Sequence, residues 1–234
     1  YDRVYDRQNG EDIQQYAEVN RNIRPVHAIK FSVFNFQFSI KPYLCFMNTM
    51  FDLQQYALQE LKDAYTEHEI KVLCSLAFCH LLHCTNIEIH LKKHEFLEKS
   101  FIDKFVQVVE ELKTDKPIQY ILGETEFAGI DFQLNSETLI PRPETEELVM
   151  WIVESGVRPG ARVLDIGTGS GCIIVSLGKL LKGGRFYGVD ISPEAVRQAA
   201  DNARRNGVEV DFEVRDILHY GEWEWPGFDV IVSN

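Results

Sequence analysis

The chain has 234 residues, 45% hydrophobic and 26% charged, with a formal net charge of −12 at pH 7. These values suit one large or two modest soluble domains, and no apolar stretch approaches the roughly 20 residues that a membrane-spanning helix needs. The acidic balance argues against a phosphate backbone as substrate. Five cysteines in no paired framework point to a reducing, cytoplasmic setting.

Residues 1–49 read as an N-terminal extension without assignable chemistry. Arg21, Arg24 and Lys30 precede an apolar run from Phe31 to Phe46, the order of charges found in secretory signals. Asn35, Gln37, Ser39, Lys41 and Pro42 interrupt that run and no small-residue cleavage site follows, so export is not expected. Phe34, Phe36, Phe38 and Ile40 alternate with polar residues in a weak strand pattern.

Helical texture begins near Met50 and defines a small helical domain over 50–122. Leu53, Tyr56, Ala57, Leu61 and Ala64 recur at helical spacing. Thr66 with Glu69 forms a capping box that opens a helix running to about Cys84. Ser100 is the expected cap of a further helix, with Phe101, Phe105, Val108, Val109 and Leu112 as its apolar stripe. After Pro117 a short helical turn is stopped by Gly123. Cys74, Cys79, His80, His83 and Cys84 crowd this region, but they lie in an apolar helix rather than on the turns that carry zinc knuckles, so no metal site is expected.

A linker over 123–142 contains a hairpin, Glu126 to Leu134, with Gly129 near its turn. Residues 143–234 follow as the candidate catalytic domain. Pro143 suits a first helical position, and Glu144, Glu146 and Glu147 suit the positive end of that helix. Strands at 162–166, 186–189, 210–214 and 228–232 alternate with helices at 170–181 and from Ser192 to Gly207. That alternation predicts an α/β fold, a doubly wound parallel sheet that is incomplete because the chain stops at Asn234 directly after the fourth strand.

The chemistry gathers where these strands end. Asp165-Ile166-Gly167-Thr168-Gly169-Ser170-Gly171 joins the first strand to its helix, and its glycines permit a tight turn with close approach to a ligand. The spacing differs from the G-x-G-x-x-G of pyrophosphate binders, and an acid at the head of the loop suits a cationic ligand better than a phosphate. Asp190 ends the second strand, where a carboxylate can accept ribose hydroxyls or simply stabilise a helix N-terminus. Asp216, after the third strand, could border an adenine or be a solvated turn residue. Asn234 ends the fourth strand in line with the glycine loop.

The order DIGTGSG, GVDIS, RD and FDVIVSN resembles the class I methyltransferases, and GETEFAGIDFQLNSETLIPRPETEELV resembles the HemK-like release factor glutamine methyltransferases. The likeness covers about Met50 to Asn234. It implies a Rossmann-like catalytic domain behind a helical substrate-recognition domain, S-adenosylmethionine as cofactor, and N5-methylation of a glutamine in peptide chain release factors. It also implies that Asp165, Ile166, Gly167, Thr168 and Gly169 line the methionine and ribose side of the cofactor. Asp190 would hold the ribose, Asp216 with Ile217 the adenine edge, and Asn234 the substrate amide. Arg142, with Pro141, Pro143 and Glu144, would shape the wall beside them, unless Arg142 simply pairs with a nearby glutamate. The family motif continues past its Asn with Pro-Pro-Tyr, so the 234 residues alone are expected to be inactive. Two other readings are an N6-adenine DNA methyltransferase, which would want a basic cleft, and a non-catalytic cofactor binder.

Overall fold

The computed structural model describes residues 47–234 apart from Trp223 and Trp225, and these fall in one compact unit, Cys45–Asn234. The strand pattern expected near residue 34 lies outside the described residues.

Five helices come first: α1 (Met50–Leu61), α2 (Glu67–Leu82), α3 (Asn86–Lys92), α4 (Lys99–Leu112) and α5 (Ile118–Leu122). The first three share one start signal. Thr49, Thr66 and Thr85 each accept a backbone N–H from the third helical residue, whose carboxylate (Asp52, Glu69 or Glu88) accepts the threonine N–H in return. The box at Thr66 is the one read from sequence; Thr85 opens α3, a helix the sequence reading did not contain. The cap expected at Ser100 is corrected to Glu98: Phe101 and Ile102 donate to the Glu98 carbonyl, so the helix has already begun when Ser100 is reached. His83, at φ 49°, ends α2, and Gly123, at φ 74°, ends α5.

The expected stripe of α4 is buried throughout, and Phe105 stacks on Phe78 of α2 with ring centroids 4.7 Å apart. Cys74 belongs to this interior, and burial pushes its thiol up to about 12. His80 Nδ1 lies 2.5 Å from Glu124 Oε1, which ties α2 to the first strand of the hairpin.

That hairpin pairs β1 (Glu124–Phe127) with β2 (Ile130–Gln133). Its two turn residues, Ala128 and Gly129, both have positive φ (51° and 71°), the combination whose twist matches that of the flanking strands. Phe127 and Phe132 are buried in one cluster with Val149 and Ile152 of α6 (Pro143–Glu154).

The remainder alternates as expected: β3 (Arg162–Ile166), α7 (Cys172–Leu180), β4 (Arg185–Asp190), α8 (Pro193–Arg205), β5 (Asp211–Val214), a helical turn (Ile217–Glu222) and β6 (Val230–Ser233). Its four strands pair in the order β5-β4-β3-β6, all parallel. The chain therefore moves outward from β3 through β4 to β5, then returns to lay β6 on the other side of β3. This is the Rossmann-like reversal that leaves a crevice outside the carboxyl ends of the strands. No single helix among the described residues is long and apolar enough to cross a membrane.

Candidate active site

Register brings the sequence motifs to one edge. Ile166 pairs with Val189 on one side and Ser233 on the other, while Asp190 pairs with Val214. The residues that follow or end these strands, Gly167, Asp190, Arg215 and Asn234, therefore stand along the carboxyl edge of the sheet, around the point where strand order reverses.

The glycine loop is held in shape by its neighbours. Gly167, Gly169 and Gly171 all take positive φ, at 72°, 55° and 80°. The Gly167 and Thr168 amides donate to the Val189 carbonyl at 2.8 and 2.9 Å, which fastens the loop across the end of β4. A Cβ at Gly171 would sit 3.0 Å from that of Ala199, so this glycine also lets α7 start hard against α8. Gly188 has a similar reason: a Cβ there would lie 2.5 Å from the Phe212 ring and 3.1 Å from the Thr168 hydroxyl.

Two carboxylates flank the loop and behave differently. Asp165 is fully buried, and burial pushes its carboxyl up to about 7 although the Thr168 hydroxyl donates to Oδ2 at 2.8 Å. Its Oδ1 has no hydrogen-bond partner among the described residues. Asp190 is half-buried; its Oδ2 accepts from the Gly169 amide and its Oδ1 from the Ser192 amide, both at 3.0 Å. One side chain thus braces the loop and turns the chain into α8, where Ser192 caps by accepting from Ala195 N. Two of its roughly four lone-pair sites are used, which leaves room for further donors.

Asp216 is taken up locally. Its oxygens meet the Leu218 amide at 3.0 Å and His219 Nδ1 at 2.9 Å, and the Leu218 amide bond holds its carboxyl below the usual range. Ile217 starts the same turn, half-buried. Arg142 is exposed at the start of α6, and its side chain makes no ion pair or hydrogen bond among the described residues, so the alternative of a structural pair with a glutamate is not what the structure contains. Asn234 donates through Nδ2 to Thr145 Oγ1 at 2.6 Å, and Ser233 Oγ donates to the Ile166 carbonyl at 2.9 Å.

Three contributors were missed in the sequence. Thr145 was passed over inside the PRPETE run as an ordinary helical residue. Gln198 and Asn202 lie on the buried face of α8 with Ala195, Ala199 and Ala203. Asn202 accepts from the Gln133 amide at 2.8 Å and donates to the Gln133 carbonyl at 3.0 Å and the Ser170 carbonyl at 2.9 Å, joining hairpin to glycine loop. Gln198 adds a bond to the Gln133 carbonyl at 2.6 Å. The signal was available: polar amides four residues apart on the apolar side of a helix need buried partners.

A glycine loop, flanking acids and a strand-end asparagine at the reversal of a parallel sheet define a Rossmann-like methyltransferase domain, and residues 158–234 match the family model described as "Methyltransferase domain". Residues 52–123 match the "PrmC N-terminal domain". The chain is 38% identical over 181 residues to the release factor glutamine methyltransferase of Flavobacterium psychrophilum and 38% identical over 180 residues to that of Bacteroides thetaiotaomicron, each alignment covering 76% of this chain. It is 48% identical over 122 residues, 51% of its length, to that of Koribacter versatilis, of which 42% is covered. The chain is similar to the release factor glutamine methyltransferases in both its helical region and its sheet region. It spans 63% and 64% of the length of the first two relatives.

Proposed function

We propose that the protein, at the length of its relatives, methylates the side-chain nitrogen of a glutamine in a peptide chain release factor, with S-adenosylmethionine as methyl donor. The observation that carries this reading is the row at the carboxyl edge of the sheet, which sets Asn234 beside the glycine loop and Asp190. The name of the N-terminal family model and the names of the relatives supply the substrate class.

The residues fit the cofactor. The unpartnered Asp165 Oδ1 is a buried acceptor at the head of the loop, suited to a cationic group. Asp190, oriented by two backbone amides, keeps lone pairs for ribose hydroxyls, and Gly167 and Gly169 leave the loop backbone uncovered. When bound, the cofactor supplies an electrophilic methyl on a sulfonium.

The chain's own task is to present a poor nucleophile. An amide nitrogen shares its lone pair with the carbonyl, and no side chain here is basic enough to deprotonate it. Asn234 Oδ1 accepts one N–H of the substrate amide, fixes the nitrogen and favours its pyramidal form. Positioning and preorganised hydrogen bonding supply the lowering of the barrier. The nitrogen gains a methyl and releases one proton to solvent. Arg142, exposed at the start of α6 and without a side-chain partner among the described residues, is available to the incoming protein.

Labelled methyl transfer to intact release factor tests the reading, with a release factor whose acceptor glutamine is replaced and a duplex DNA as controls. Label on the intact release factor alone is the expected result. Label on DNA, or on neither, overturns it.

A further inference from the structure

The hydrogen bond between Asn234 Nδ2 and Thr145 Oγ1, 2.6 Å long, joins two sequence motifs 89 residues apart. Its two ends are unequal. Asn234 is exposed at the end of β6, and its Oδ1 has no hydrogen-bond partner among the described residues. Thr145 is 4% exposed in the first turn of α6, with its amide bonded to the Arg142 carbonyl at 2.9 Å. The same helix sends Val149 and Ile152 into the core, so its start has little freedom. A β-branched residue in a helix is also confined to few rotamers. A rigid acceptor therefore meets an amide that would otherwise turn freely.

The chemistry of the two groups sets the direction. The Asn234 nitrogen has only protons to offer, so the Thr145 hydroxyl oxygen must accept. The amide is planar, and fixing its nitrogen towards α6 fixes Oδ1 on the opposite side. We infer that Thr145 is a positioning residue that selects the orientation of the Asn234 amide in which the oxygen, not the NH2 group, faces the incoming substrate. A half-turn about the last side-chain bond would present Asn234 N–H to substrate N–H, donor against donor, and that encounter is unproductive. The inference rests on the proposed role of Asn234.

In the full-length chain, Thr145→Val keeps the shape of the side chain and removes the acceptor. The expected result is a fall in kcat of about ten-fold, the scale of one neutral hydrogen bond. KM for the cofactor and the melting temperature should stay close to wild type. Thr145→Ser, which restores a hydroxyl, should stay within about three-fold of wild type. On an Asn234→Ala background, Thr145→Val should cost nothing further, because the group it orients is gone. Losses that multiply in the double variant, or a wild-type kcat for Thr145→Val beside an impaired Asn234→Ala, overturn the positioning role. A wild-type rate for Asn234→Ala overturns the functional reading instead. Should Thr145→Val not fold, the Asn234 side-chain NH2 signals of the unmodified protein decide by NMR. Hindered exchange of one proton supports the inference, and the behaviour of a free exposed asparagine ends it.

Discussion

The helical region before residue 123 and the sheet region after it bury different things. All eight buried polar residues among those described, from Thr138 to Asn202, lie in the second region and its approach. The helices bury an apolar interior, and their polar groups are spent at helix starts or at the surface. The nearest counterpart is Glu60, whose side chain is covered but answered by Lys113 at 2.6 Å. Buried polar groups are costly unless paired. Their concentration in the sheet region marks a part of the molecule held by paired polar groups, and their scarcity among the helices marks a part held by apolar packing.

The sharpest way to test this division is to damage each side and look for effects on the other. Phe105→Ala opens a hole beneath Phe78 and should cost about 3–5 kcal/mol of stability. Chemical denaturation measures that loss, and calorimetric titration of the folded fraction should find cofactor affinity unchanged; a weakened cofactor site would blur the division. Asn234→Ala in the full-length chain should do the opposite, with stability intact, cofactor affinity within a few-fold and single-turnover methyl transfer reduced on the order of 10²-fold or more. Asp190→Ala should weaken cofactor binding by about 1–3 kcal/mol through loss of a charge-assisted acceptor. Since Asp190 also braces Gly169, thermal melts of the cofactor-free variant show how much of that is loop disorder. Thr66→Ala removes one helix cap and should cost about 1 kcal/mol with no functional trace.

A smaller, pH-dependent effect separates the regions as well. Asp165 titrates near 7 in the folded protein, above its value in an unfolded chain, because burial disfavours its charge. The folded state therefore holds the proton more tightly. The resulting contribution is present in full at pH values below the unfolded pKa and is lost as pH rises through about 7. Denaturation midpoints of the cofactor-free protein should fall as pH rises from about 4 to about 7, and Asp165→Asn should flatten that slope. An unchanged slope in the variant would show that other groups carry it.

Much of this was legible in the residues, and the gaps have a physical pattern. Local, self-contained signals were legible: the Thr66 box and the stop at Gly123 each depend on neighbours a few positions away, and the strands and loop glycines show in their own short runs. Ser100 misled because its residue type suits a cap while the turn around Glu98 already supplied the first helical carbonyl. The Thr85 start of α3 carries the same local signal as Thr66, with Glu88 three residues on, but opens a helix of only seven residues. Thr145, Gln198 and Asn202 act on partners between 32 and 89 residues away, and no local pattern names such partners. For Arg142 the alternative of an ion pair with a neighbouring glutamate does not form among the described residues.

The Asn202 clip has a consequence for how this protein tolerates change. Its amide reads the N–H and the carbonyl of residue 133, as a neighbouring β-strand would, and never touches the exposed Gln133 side chain in doing so. The position that is held can therefore drift while the position that holds it cannot. A saturation library should accept nearly every residue at 133 except proline, which has no N–H to give, and should accept almost none in place of Asn202.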